Sequence, residues 1–337
     1  MLRKREVLIL ARSWREWEKP LRDLEEGIAR LRELREKVAP ERAEALDRQI
    51  AEFEQKRDEY IRVKYSRLGA WERTLVARAE SRPYTLDYIQ YFVDDWVELH
   101  GDRRFADDKA IIGGLGRIEG QSCVIVGHQK GRDIKSRQFR NFGMAKPEGY
   151  RKAIRLFEMA DRFGLPVVTF VDTPAADPGV ESESRGISQA IAEGMFCMFG
   201  LGVPSVSVVI GEGGSGGAIG IAVANRVLML ENSIYSVIPP EGCAAILWRD
   251  PTASDRAAAA LRLTAKDALE LGIIDEIIPE GFGGAHRNPQ ETADNVKEAI
   301  LRHLKELSGL SREEIREQRF QKYRKMGIVT EPASTEA

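Results

Sequence analysis

The stretch Gly211-Glu212-Gly213-Gly214-Ser215-Gly216-Gly217-Ala218 is the part of this chain best suited to chemistry. It follows the apolar run Val206–Ile210 and leads into residues of helical character. Glycines there expose main-chain N–H groups at a helix N-terminus, where partial positive charge gathers. Such a turn stabilises a developing negative charge whatever the reaction. A tight strand-to-helix turn with close packing is the plain structural alternative. Gly211, Gly213 and Gly216 also satisfy GxGxxG, with Glu231 placed 20 residues after Gly211, as in dinucleotide-binding turns. Against that reading, the helix between them has room for only about ten residues before Asn225-Arg226 leads into a strand. Ser215 as a nucleophile requires a histidine base and an orienting acid. The sequence places none of His100, His128, His286 and His303 beside it.

Two further segments carry chemical character. Phe170-Val171-Asp172-Thr173-Pro174-Ala175-Ala176-Asp177-Pro178-Gly179 delivers a strand into a rigid loop with two prolines, and strand C-termini are where α/β proteins place ligands. A simple connector fits it equally. From His128 to Met144, five cations fall within eleven positions with one acid among them, which suits recognition of phosphate or carboxylate as well as it suits a solvated loop.

The elements that must position these segments alternate. Ala110–Ile118 and Ser122–Gly127 read as a hairpin across Glu119-Gly120-Gln121. Val167–Val171, Ser205–Ile210 and Val227–Leu230 read as buried strands. Helices are expected at Pro147–Phe163, Arg185–Phe199, Ser215–Asn225, Arg256–Leu271 and Pro289–Lys325. Before them lies a charge-dense, glycine-poor region. Leu21, Leu24, Ile28, Leu31, Leu34 and Val38 paint one helical stripe, Pro40 interrupts, and Leu46, Ile50, Phe53 and Tyr60 resume a second. The expected organisation is a helical hairpin arm over 1–65, an α/β domain over 66–288, C-terminal helices over 289–329 and a flexible tail over 330–337.

Composition narrows the function. Lys plus Arg (51) nearly cancels Asp plus Glu (53), so no general attraction to nucleic acid or membrane follows. Cys123, Cys197 and Cys243 form no CxxC pair, and neither they nor the histidines have metal-ligand spacing. Without an apolar run of about 18 residues or a signal-like start, a cytoplasmic protein is expected.

Taken in order, several stretches resemble the carboxyltransferase alpha subunits of bacterial-type acetyl-CoA carboxylase. They are Arg82-Pro83-Tyr84-Thr85-Leu86-Asp87-Tyr88, Gly101-Asp102-Arg103, Ala106-Asp107-Asp108-Lys109-Ala110-Ile111, Gly127-His128-Gln129-Lys130-Gly131-Arg132, Asn141-Phe142-Gly143-Met144 and Pro147-Glu148-Gly149-Tyr150-Arg151-Lys152-Ala153. The glycine segment, Pro240-Glu241-Gly242-Cys243-Ala244 and Gly283-Gly284-Ala285-His286-Arg287-Asn288-Pro289 complete the series. The resemblance covers about Trp17 to Met326. It implies a crotonase-like (ClpP/crotonase) spiral of ββα units, which the strand pattern alone does not separate from a doubly wound sheet.

It also implies a reaction: the carboxyl group of carboxybiotin, presented by biotin carboxyl carrier protein, moves to acetyl-CoA and gives malonyl-CoA. The implied partners are a zinc-ribbon beta subunit in a two-alpha, two-beta assembly and biotin carboxylase in the full complex. No metal or covalently held cofactor is implied for this chain. Gly213 and Gly214 are implied as backbone oxyanion donors, Ala175-Ala176-Asp177-Pro178-Gly179 as the biotin-side loop, and Lys130, Arg132 and Arg137 are candidates for the CoA phosphates. Where the family loop reads DTPGAYPG, this chain has Ala175 for a glycine and Asp177 for an aromatic, and Pro239 stands where serine is common. The competing readings are a stand-alone crotonase-like acyl-CoA enzyme and a non-catalytic scaffold for the carrier.

Overall fold

The computed structural model describes residues 17–327; the basic start Met1–Arg5 and the tail Thr330–Ala337 lie outside them. Two compact units divide after Leu75, and the helix Ala70–Ala77 spans that division. The first unit is built on the helices Lys19–Arg35 and Pro40–Tyr65. They approach closely at Gly27, where a Cβ would lie 2.9 Å from the Phe53 ring. Arg32 pairs with Glu54 at 2.6 Å and the Tyr60 hydroxyl donates to the Trp17 carbonyl at 2.6 Å. Exposed ion pairs of this kind add little stability.

The second unit is an eight-stranded mixed sheet in the order β1-β2-β3-β4-β5-β6-β8, with β7 pairing β5 off that path. The strands are β1 (Asp94–Glu98), β2 (Ile111–Ile118), β3 (Gln121–His128), β4 (Val167–Thr173), β5 (Ser205–Gly214), β6 (Arg226–Leu230), β7 (Ile234–Ser236) and β8 (Glu276–Ile278). The first three pair antiparallel, and β3, β4, β5, β6 and β8 run parallel. Glu119 and Gly120 take φ of 47° and 79°, the left-handed pair that a two-residue hairpin turn requires.

Side chains alternate across the parallel strands and both faces are covered, which is why these strands read as unbroken apolar runs. Val124, Val126, Val167 and Val209 face the helices Pro147–Phe163 and Ile187–Gly200. Ile125, Val168, Phe170, Val208 and Leu228 face the helix Pro289–Leu307 and the helix Thr85–Phe92, where Tyr88 stacks on Phe170 at 5.5 Å.

Several expected helices are shorter than the pattern implies. Ser215–Asn225 is helical only over Ser215–Ile219, because Gly216, Gly217 and Gly220 weaken it, and Gly220 backs onto the Tyr150 ring at 2.7 Å from a built Cβ. Arg256–Leu271 is two helices, Ser254–Leu261 and Ala265–Glu270, broken where Arg262 takes φ 49° and Thr264 caps the second. Pro289–Lys325 is likewise Pro289–Leu307 and Arg312–Arg324, the latter opened by a Ser311/Glu314 capping box. Gly186, at φ 78°, separates Val180–Ser184 from Ile187–Gly200.

Candidate functional site at the tip of β5

The glycine segment is not a free turn over its whole length. Gly213 pairs with Thr173 of β4 on one side and Tyr235 of β7 on the other, and Gly214 pairs with Ser236. Pro174 has no N–H, so the Thr173–Gly213 bridge closes through the Gly214 N–H onto the Thr173 carbonyl. The Tyr235 N–H donates to Leu263, so the bridge to β7 closes through the Gly213 N–H onto Ile234. The two amides expected to face a ligand, those of Gly213 and Gly214, are therefore engaged in the sheet. The arrangement has a simple cause: β5 runs four residues past Ile210, and β7 arrives to pair with it.

Close approach, not backbone handedness, explains the glycines. A Cβ at Gly214 would lie 2.0 Å from the Pro174 carbonyl oxygen, one at Gly211 2.3 Å from Asp172 Oδ1, and one at Gly217 2.6 Å from Ala175 C. Between Gly211 and Ala218 the single positive φ belongs to Ser215, at 49°. For a non-glycine residue that conformation costs about 1 kcal/mol. Ser215 and Gly216 border a cavity of about 420 Å³ whose other walls include Tyr235, Ser236, Ile273 and Tyr323. The Ser215 hydroxyl has no hydrogen-bond partner among the described residues, whereas that of Ser236 donates to the Ile238 carbonyl at 2.8 Å. None of the histidines lines this cavity, which removes the base a serine nucleophile needs. The five-residue helix likewise removes the dinucleotide reading.

Behind the tip lies a buried belt of paired charge. Lys130 Nζ sits 2.7 Å from Asp172 and 2.9 Å from Glu212, and Arg78 holds Glu212 at 2.8 Å and Glu241 at 2.5 Å. Asp172 also accepts from the Glu212 N–H at 2.9 Å. Burial alone would raise the Glu212 carboxyl, but Lys130 and Arg78 outweigh it and bring it down to about 2. Arg82 donates twice to Glu280, at 2.9 and 2.8 Å, and to the Ile210 carbonyl at 2.8 Å, with both side chains almost fully buried. Burial of Glu280 is offset in the same way by Arg82, leaving it at about 2. Burial also pushes His128 down to about 3, so it stays neutral in the core.

Of the phosphate candidates, Lys130 is bound into this belt. Arg132 pairs with Asp87 at 2.6 Å over the Tyr84 ring, and Arg137 pairs with Glu80 at 2.6 Å. A second cavity, about 200 Å³, opens beside Arg78, Tyr84, Lys130, Arg137, Phe142 and Pro174. Every one of the three cations thus enters with a carboxylate already on it.

The biotin-side loop is tightly held. Thr173 Oγ1 donates to the Ala175 carbonyl at 2.7 Å, and the Asp177 N–H donates to Ala145 at 2.9 Å. The Asp177 carboxylate accepts from Ser182 at 2.5 Å and from Asn141 at 3.2 Å. Ala175 is not among the positive-φ residues, so a glycine is not needed there. Pro239 precedes the helix Pro240–Trp248 at φ −60°, which suits proline. Arg78, Arg82, Glu241 and Glu280 were not singled out by sequence reasoning as site residues, because their partners lie far off in the chain. Arg82 and Glu241 do appear in the quoted motifs, which was the available signal. Among the described residues no group of three or more His, Cys, Asp or Glu could hold a metal ion. Among them, too, no helix is long and apolar enough to cross a membrane.

Residues 14–327 match the family described as acetyl co-enzyme A carboxylase carboxyltransferase-like. A Thermus thermophilus protein named acetyl-coenzyme A carboxylase carboxyl transferase subunit alpha is 52% identical over 317 residues, covering 94% of this chain and 99% of the relative. A Fusobacterium nucleatum protein of the same name is 51% identical over 313 residues, covering 93% and 99%. Among solved structures, a transcarboxylase 12S chain superposes with a TM-score of 0.54 at 20% identity, over 76% of this chain and 44% of that one, so this chain spans less than half of it. The Pseudomonas malonate decarboxylase MdcD–MdcE hetero-dimer gives 0.51 at 17%, over 64% and 88%. The fold is the crotonase-like α/β architecture that the resemblance implies. The chain belongs to the acetyl co-enzyme A carboxylase carboxyltransferase-like family.

Proposed function

We propose that this family member is the alpha subunit of a biotin-dependent carboxyltransferase, moving a carboxyl group from carboxybiotin to acetyl-CoA to form malonyl-CoA. Its relatives' names support carboxyl transfer, and one local observation supports this reading: the tip of β5, wedged against the Thr173–Gly179 loop, borders the cavity at Ser215 and Gly216. Carboxyl transfer makes two oxyanions, on the ureido oxygen of biotin and on the thioester oxygen of the acetyl-CoA enolate, and biotin itself supplies the basic nitrogen for the acetyl proton. The task left to the protein is to hold hydrogen-bond donors where charge develops and to keep water out.

The tip of β5 is suited to that task. Gly213 and Gly214 set the strand against β4 and β7 with no side chain between them. Gly216 falls in the first turn of its helix, where N–H groups have no intrahelical acceptor, and it lines the cavity. We place the ureido oxygen at this far end of the segment. The loop 175–179 is held in place through Asp177, which accepts from Ser182 and Asn141. A beta subunit is the proposed partner for the acetyl-CoA side and for the assembly. The zinc in that subunit, the biotin carrier, biotin carboxylase and a cytoplasmic location are part of the same proposal. The belt cations, being paired, leave the CoA phosphates to that partner or to Arg132 and Arg137 after exchange of their carboxylates.

The test is reconstitution: this chain co-expressed with a beta-type subunit and assayed for radiolabelled carboxyl transfer between carboxybiotin and acetyl-CoA. Transfer by the pair and none by either chain alone is expected. No transfer by the assembled pair defeats the proposal.

A further inference from the structure

We propose that the Ser215 hydroxyl is a further catalytic group of this site, donating a hydrogen bond to the carbonyl-type oxygen that becomes negative during transfer. The inference rests on the carboxyltransferase reading above and names a side chain where that reading invokes main-chain groups.

Ser215 holds φ 49° in a run whose neighbours Gly213, Gly214, Gly216 and Gly217 all have ordinary φ. Glycine would occupy position 215 without strain, yet the segment carries its one hydroxyl there. That hydroxyl has no protein partner among the described residues, and Ser215 borders the cavity of about 420 Å³. The other serine of the cavity, Ser236, has its hydroxyl committed to Ile238. The amides of Gly213 and Gly214 are taken by Ile234 and Thr173, so the donors left around the tip are the Ser215 hydroxyl, the first amides of the short helix and the Tyr235 hydroxyl, of which Ser215 lies in the glycine segment itself. A hydroxyl both donates and accepts, so it can serve the neutral carbonyl and then strengthen as charge builds. Without a histidine in the cavity, no bond to Ser215 Oγ forms or breaks in this role.

The experiment uses Ser215→Gly and Ser215→Ala in the assembled pair. Ser215→Gly removes the hydroxyl and relieves the backbone, so its melting temperature should equal or exceed that of the unaltered chain. Its kcat for carboxyl transfer should fall on the order of 100-fold with KM nearly unchanged, as for loss of one oxyanion donor, and Ser215→Ala should fall equally. Full kcat in Ser215→Gly overturns the inference. So does a loss of kcat that tracks a lowered melting temperature, since that marks a structural serine. If the unaltered pair transfers no carboxyl group, the carboxyltransferase reading fails first and this inference goes with it.

Discussion

Glu212 and Ser215 stand three residues apart, one at the tip of β5 and one just past it, yet they belong to opposite kinds of environment. Glu212 is buried, ionised and gripped by two cations. Ser215 is uncharged, strained and open to a cavity. The charged side has every appearance of an active site, with its carboxylate brought down to about 2. Each of its groups is nevertheless satisfied by another protein group, so it is a frame for the strand. The neutral side offers unsatisfied donors, which is what an anion born in a dry site requires. Density of charge is a poor guide to chemistry when the charges cancel one another.

The comparison can be broken on its charged side first. Arg82→Met should leave Glu280 buried and unpaired and destabilise the chain by about 3–5 kcal/mol, read from urea unfolding. Arg82→Met with Glu280→Leu should recover part of that loss, because the uncompensated charge is then gone. A single variant as stable as the parent would mean the belt is not a frame. Next comes packing: Gly214→Ala places a Cβ 2.0 Å from the Pro174 carbonyl, a clash with backbone that should cost about 3 kcal/mol in the same measurement.

Acid sharpens the contrast further. Glu212 and Glu280 have folded values near 2 against an ordinary 4.5, so their contribution is present above about pH 4.5 and is lost as pH falls toward 2. Asp108 runs the other way. Burial raises it to about 6 from 3.8, despite hydrogen bonds from the Ala110 and Lys146 amides. Its contribution is present below about pH 4 and is lost as pH rises through 6. Stability against pH should climb between about pH 2 and 4.5 and then sag toward pH 6. Asp108→Asn should remove the sag and leave the climb. The smallest effect concerns the loop: Ala175→Gly should gain no activity and lose at most about 1 kcal/mol, since residue 175 needs no left-handed backbone.

Much of this was legible from residues alone. The Glu119-Gly120 hairpin, the apolar runs of β4 and β5, and the order of the motifs follow from local pattern. What escaped was non-local. Whether the Gly213 amide is free depends on Ile234–Ser236, three residues with too little pattern to mark a strand, and on Leu263 taking the Tyr235 N–H. Arg78 and Arg82 find carboxylates 134 and 198 positions away, a separation that no spacing rule reports. The glycine pattern suits exposed main-chain N–H groups and close packing alike, and Asp172, Pro174, Tyr235 and Ala175 lie against it. Composition marks where backbone comes close, but not what it comes close to.

The first strand bears on how this sheet meets other molecules. β1 pairs with β2 through a register shift between Asp94 and Val97, with Asp95 turned to φ 52°, and β8 at the other end is three residues long. A kinked border carrying acidic residues and a very short one are both poor templates for an incoming extended peptide. Neither border therefore offers a regular ladder to an extended strand from another molecule, and this guards the chain against indiscriminate polymerisation.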